Sequence, residues 1–384
     1  MIKKVVVASD SFKGSLTSAE VAEAAGRGIR TVFPDCEVVE VPVADGGEGT
    51  MRAVVSATGG RIVRCRTCDP LLRLVDTEYG VLPDGVTAVI ELASSSGLPL
   101  LSPSERDPLR TTTYGTGELI ANALRRGYRR FLLALGGSAT NDGGTGLLRA
   151  LGFRFLDGNG REIADGGAGL LRLERIDRRH AMPELAEAVF RVACDVTSPL
   201  YGPTGAAVVF APQKGAGEEA VRLLDDGLRR FASVLGREGR GDVALRPGAG
   251  AAGGTGAGLM ALLGAELLPG TELVLDTIGF SRLLDGADLV VTGEGRIDLQ
   301  TTAGKAPAGI AAAARKKGIP VIAIAGSVEH AAGPGETGLE ACFCVLPSVQ
   351  TLEEAMDADV ARVNVTQCVT QIFRLLKLAR ERIP

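Results

Sequence analysis

Short apolar runs recur along this chain, and most stop against a glycine-rich turn that opens a helical pattern. Residues 3–8 are β-branched and predict a strand. Thr17 and Glu20 then form a capping box ahead of Val21, Ala24, Ala25, Gly28 and Ile29, which share one helical face. Residues 38–43 repeat the arrangement and end in ADGGEGT before a short helix with Met51, Val54 and Val55. Further strands are predicted at 86–92, 131–135, 188–194, 287–292, 319–325 and 342–346. Helices are predicted after TTTYGTG with Leu119, Ile120, Ala123 and Leu124, at 218–235 and at 307–316. A C-terminal amphipathic cover runs from Leu352 to Leu376. Residues 61–81 are charged and irregular and read as a crossing into another unit. Residues 154–187 are loop-rich and carry no evident chemistry.

Composition narrows the class. A chain of 384 residues suits two domains; 45% apolar and 23% charged content with a net charge of −4 describes a globular protein and not a nucleic-acid-coating one. Aromatics are 4% and Trp is absent, which argues against a stacking platform. The N-terminal apolar run is too short for a signal peptide, so a cytoplasmic protein without membrane association is expected. The uncharged run 248–265 is dominated by Gly and Ala and reads as a loop leading into a helix. Seven cysteines, with Cys65 and Cys68 the lone CxxC, are expected to be reduced thiols. The two histidines, His180 and His330, read as surface residues, which leaves acid–base chemistry to carboxylates and lysines.

The candidate chemistry lies at the predicted strand ends, where open α/β sheets bind ligands. SDSFKGSLT carries Ser11 and Lys13 at a helix N-terminus, a place that favours anions; Lys13 binds a carboxylate or phosphate there, or is a solvated loop residue. Asp45 and Glu48 flank Gly46 and Gly47; they hold a cation or a substrate hydroxyl, or Asp45 caps the turn. GGSATNDGGTG presents Ser138, Asn141 and Asp142, either to a ligand or as a tight Asx turn. CDVTSPLYGPTGAA puts Asp195 at a strand end, as a site edge or as a cap before Pro199. Lys214 sits in a Pro-Gly-bounded turn. GAGAAGGTGAG, with Gly253, Gly254 and Gly256, is neither a dinucleotide fingerprint nor a Walker A loop; it is a phosphate cradle or packing around a helix start. GEGRIDLQTTAGKAP holds Glu294, Asp298, Gln300 and Lys305. Brought together, these carboxylates would repel unless metal ions or lysines sat among them, a combination that suits phosphoryl transfer.

DSFKGSLT, PVADGGEGT, GTGELI, GGSATNDGG, CDVTSPLYGPTGAA, FAPQKGA, GAGAAGGTGAG and TGEGRIDLQTTAGKAP, in that order, resemble the bacterial glycerate kinase family of the type that makes 2-phosphoglycerate. Ser198 stands where the family's CDVTNPL has Asn. The resemblance implies ATP, Mg²⁺ and D-glycerate, with the site in a cleft between two α/β domains. One is Rossmann-like and built from residues 1–65 and 285–384, with an inserted domain at 66–284; the protein is expected to be a monomer or homodimer. Mapped onto this sequence, Asp195 takes the glycerate hydroxyl proton, with Asp45 as rival. Lys13, Ser11, Asp45, Gly46, Gly47 and Glu48 hold glycerate, its carboxylate on Lys13. Asn141 and Asp142 position substrate or metal, and Glu294 and Asp298 are further metal ligands. Ser138, Gly253, Gly254 and Gly256 bind nucleotide, while Lys214 and Lys305 stabilise the transferring phosphoryl group. A kinase forming 3-phosphoglycerate, a Mg²⁺-dependent phosphohydrolase and a non-catalytic anion binder are the competing readings.

Overall fold

The computed structural model describes residues 2–298, 305–329 and 338–382; Gln300 and His330 lie outside them. The chain divides into two compact α/β units. Unit 1 comprises Met1–Asp45, Arg52–Thr58 and Thr271–Pro384, and unit 2 comprises Gly46–Met51 and Gly59–Gly270.

Unit 1 is a parallel sheet of β1 (Lys4–Ser9), β2 (Glu37–Pro42), β11 (Leu289–Ile297), β12 (Val321–Val328) and β13 (Ala341–Cys344), in the order β13-β12-β11-β1-β2. Val5, Val7, Val291, Ile322 and Ile324 share one face and pack on helices Ser18–Val32 and Ala358–Arg382 through Val21, Ile29, Val365, Val369 and Phe373. Each such side chain taken out of water contributes about 1.5–3 kcal/mol. The two helices cross closely at Gly28, where a Cβ would stand 2.7 Å from the Thr366 carbonyl oxygen. On the other face Val6, Ala8, Ala323 and Ala325 are buried, and the alanine-rich helix Ala306–Arg315 packs against β1, β11 and β12. The Thr17–Glu20 capping box forms as its sequence predicts.

Unit 2 is a mixed sheet of β3 (Arg61–Cys68), β4 (Leu74–Val81), β5 (Thr87–Glu91), β6 (Arg130–Ala134), β9 (Val189–Ala193) and β10 (Glu266–Leu268), in the order β10-β9-β6-β5-β4-β3. β5, β6, β9 and β10 are parallel, while β3, β4 and β5 are antiparallel. β7 (Arg154–Leu156) and β8 (Arg175–Asp177) form a separate hairpin. Phe131 and Phe190 stack at 4.8 Å between ring centres in the core.

Two expectations change. Residues 61–81 form a regular hairpin: only Val63 and Thr67 of β3 are buried, and outward Arg64 and Arg66, with Arg61 at the strand's start, obscure the alternation. The C-terminal cover is two helices, Leu352–Met356 and Ala358–Arg382, broken at Asp357, whose carboxylate accepts from the backbone N–H groups of Asp359 and Val360. Residues 252–254 are left-handed and interrupt the helical stretch Ala251–Leu263. All seven cysteines are free thiols, and His180 is exposed. No described helix is long and apolar enough to cross a membrane.

Candidate active site

In unit 1 the chemistry-bearing residues follow the strands. Asp10 ends β1, Asp45 follows β2 and Glu294 lies on β11, and these strands are neighbours in the sheet. Parallel register carries their side chains to one edge. Asp10 is buried, and its carboxylate accepts from the Ser11 backbone N–H at 2.6 Å. Burial pushes its pKa up to about 6, and the charge of Asp45 adds to the rise, while Ser11 and Lys13 oppose it. Lys13 is exposed and holds its Nζ 3.6 Å from Asp45 Oδ2; Ser11 is half-buried. Lys305 precedes helix Ala306–Arg315 and reaches back to Glu294 at 3.8 Å and Asp298 at 3.7 Å.

In unit 2 the stretch 138–146 is a clamped loop. Asp142 is fully buried, and its carboxylate accepts from the Thr112 and Thr113 hydroxyls and from the backbone N–H groups of Thr113, Gly144 and Gly146. Burial raises its pKa and those donors pull it back. The carboxylate expected to meet substrate or metal is thus spent on its own loop. Thr111 adds a bond to the Ala139 carbonyl oxygen at 2.7 Å. On the other flank, buried Lys214 donates to the Thr140 carbonyl at 2.7 Å and approaches the Ser138 hydroxyl at 3.4 Å. Burial lowers its pKa to about 8, against the pull of Asp142. Ser138 is itself buried and accepts from the Thr140 backbone N–H at 3.1 Å.

Asn141 stands apart from this bonding. Its side chain is wholly buried, and neither amide atom has a partner among the described residues. An unpaired buried donor or acceptor costs about 1–3 kcal/mol. The amide thus makes no hydrogen bond that supports the fold among the described residues.

The glycine-dense loop packs against this one. A Cβ on Gly253 would stand 2.2 Å from the Thr140 carbonyl oxygen, and one on Gly254 would be 3.2 Å from Gly143 Cα. Gly256 meets Gly248 in the same way, at 2.2 Å from its carbonyl oxygen. These glycines bring backbone to backbone. Ala252, at φ 49°, shares the left-handed run.

Asp195, beyond β9, is exposed and accepts from the Gly270 backbone N–H at 2.8 Å. Gly46, at φ 91°, packs beside it: a Cβ there would stand 2.8 Å from Ala193 Cβ and 3.0 Å from Gly270 Cα. Gly47 lies against Gly136, and Glu48 is exposed. Sequence reasoning places Asp10 with Ser11, Lys13 and Ser15 in the anion-favouring loop after β1 without giving it a role of its own, and it misses the Thr112–Thr113 pair. For Asp10 the signal was its place directly after a strand, beside Ser11 and Lys13.

Lysines and carboxylates presented on the strand-end loops of α/β sheets are the groups that a phosphotransferase uses. Comparison with known proteins narrows this. The model of the glycerate kinase family matches residues 5–377. The glycerate kinase of Halalkalibacterium halodurans is 48% identical over 357 residues, which cover 92% of this chain and 93% of that one. A protein named glycerate 2-kinase from Escherichia coli K12 is 48% identical, over 92% of this chain and 93% of its own. A crystal structure from Salmonella typhimurium LT2 superposes with a TM-score of 0.90 at 45% identity, covering 99% of this chain and 100% of that one. The chain belongs to the glycerate kinase family.

Proposed function

We propose that this protein transfers the terminal phosphoryl group of ATP to the 2-hydroxyl of D-glycerate. The observation that carries the reading is the match to the glycerate kinase family along nearly the whole chain, including a relative named a 2-kinase. A carboxylate takes the hydroxyl proton, the freed oxygen bonds to the γ-phosphorus, and the bond to the bridging oxygen breaks to release ADP. Asp195 is the proposed proton acceptor, with Asp45 the alternative. Lys13, Ser11 and the Asp45-Gly46-Gly47-Glu48 turn hold glycerate, and Asn141 offers it both halves of a hydrogen-bonding amide. Asp142 keeps Asn141 in place.

Lys214 and Lys305 offset charge on the transferring group, and Ser138 and the loop through Gly253, Gly254 and Gly256 border the nucleotide. Among the described residues no three His, Cys, Asp or Glu side chains form a metal-binding group. Glu294 and Asp298 nonetheless fit Mg²⁺, which needs only one or two carboxylates when phosphate oxygens and water complete its shell. Mg²⁺ held there would neutralise phosphate charge.

The test is incubation with ATP, Mg²⁺ and D-glycerate followed by proton-coupled ³¹P NMR. A product phosphorus split into a doublet by one neighbouring C–H is 2-phosphoglycerate. A triplet from a CH₂ neighbour would indicate 3-phosphoglycerate, and inorganic phosphate without a phosphoglycerate would indicate a hydrolase.

A further inference from the structure

The segment leading into the loop clamp carries a basic side chain whose Nε has no acceptor among the described residues. Arg106 sits between two acidic residues that are both committed elsewhere. Glu105 pairs with Arg73 at 2.5 Å and accepts from the Ser102 backbone and hydroxyl, while Asp107 accepts from the Leu109 N–H at 3.0 Å. Arg106 itself is half-buried, its Nε is sealed from solvent, and that N–H meets no acceptor among the described residues. Arginines at such depth ordinarily have a carboxylate or carbonyl to pair with, because the desolvated N–H is otherwise a net cost.

Its position gives the vacancy a meaning. A Cβ on Gly215 would stand 2.3 Å from the Arg106 carbonyl oxygen and 3.0 Å from Arg106 Cβ, so Arg106 backs directly onto the residue after Lys214. Lys214 in turn reaches the Thr140 carbonyl, and the next residue is Asn141, with its sealed and unpaired amide. The backbone that carries the guanidinium therefore adjoins the backbone after the lysine, and the ammonium of that lysine reaches the residue before the carboxamide, all within unit 2. Two cations and an amide suit an oxyanion. The planar fork of the guanidinium adds the bidentate geometry that carboxylates and phosphates accept.

We propose that Arg106 is a substrate-binding residue that, with Lys214 and Asn141, receives an oxyanion of a substrate: the carboxylate of the acceptor or a phosphate of the nucleotide. The assignment rests on the glycerate kinase reading, and its test separates the two. Wild-type protein is treated with phenylglyoxal alone, with D-glycerate and with ATP, and arginine adducts are mapped by mass spectrometry, while turnover of glycerate is measured on the same sample. Arg106 is labelled in the free protein and protected about fivefold or more by one ligand; protection by D-glycerate identifies the carboxylate, and by ATP the phosphate. Absence of labelling, or labelling that neither ligand reduces, overturns the role of Arg106 whether or not glycerate is turned over. Absence of turnover strikes the kinase reading alone.

Arg106→Gln then raises KM for the protecting ligand about tenfold or more, leaves the other KM within about twofold, and recovers part of the loss on addition of guanidinium ions. Unchanged KM values, or equal loss for both ligands without recovery, overturn the role. If this variant does not fold, the labelling result stands as the decision.

Discussion

Lys214 Nζ lies 2.7 Å from the carbonyl oxygen of Thr140, which ties a buried ammonium to the backbone immediately before the unpaired Asn141. The lysine therefore both braces that loop and keeps a positive charge in a place with little water. Its pKa, lowered to about 8 from 10.5, makes the bracing dependent on pH.

Between those two values the unfolded chain binds more protons than the native one, so stability should rise with pH through that window and the cost of the buried charge should be complete below it. Urea unfolding at about pH 7 and about pH 10 should show the rise in wild type and lose this component in Lys214→Met. Activity should run the other way, with kcat declining above about pH 8 as the ammonium is lost.

Asp142 receives its donors as a carboxylate. Asp142→Asn turns one acceptor oxygen into an N–H₂ facing donors, and should cost about 3 kcal/mol of unfolding free energy, read from denaturant midpoints. Thr113→Val, which removes one hydroxyl that donates to Asp142 and accepts from the Leu147 N–H, should cost about 2 kcal/mol.

Asp10 is the reverse case, a carboxyl whose folded pKa is raised to about 6 from 3.8 by burial and by Asp45. The native chain binds the extra proton between these values, so stability should fall as pH rises through them. Asp10→Asn should melt higher than wild type at neutral pH in metal-free buffer, with that pH dependence removed, and should turn glycerate over more slowly. Calorimetry and steady-state assays check the two halves.

Asp195→Asn should reduce kcat by about 10²–10⁴ while the KM for glycerate stays within about threefold, as measured at saturating ATP. Its backbone partner Gly270 remains able to donate to the amide oxygen, so the loss should not come from unfolding. Near-normal turnover would pass the role of base to Asp45.

Gly253→Ala should destabilise by about 2 kcal/mol or more, because the new methyl would meet the Thr140 carbonyl oxygen and the backbone sits at φ 66°. The unfolding midpoint measures this.

Sequence alone determined the α/β class, most of the strands and the loops that matter, because a strand's apolar run and the glycines at its end are local properties of consecutive residues. The ordered motifs from residue 9 to residue 308 also carried the family, since their spacing survives without coordinates. Tertiary structure decided what each loop residue is free to do. Whether Asp142 faces a ligand or its own loop depends on Thr112 and Thr113, distant along the chain, and whether Gly253 cradles phosphate or admits a neighbouring backbone depends on Thr140. The buried Asp10, the unpaired Asn141 and the unmatched Arg106 are likewise invisible in sequence. Burial and the absence of a bonding partner belong to the packed surroundings of a side chain, and those are set by contacts between segments far apart in the sequence.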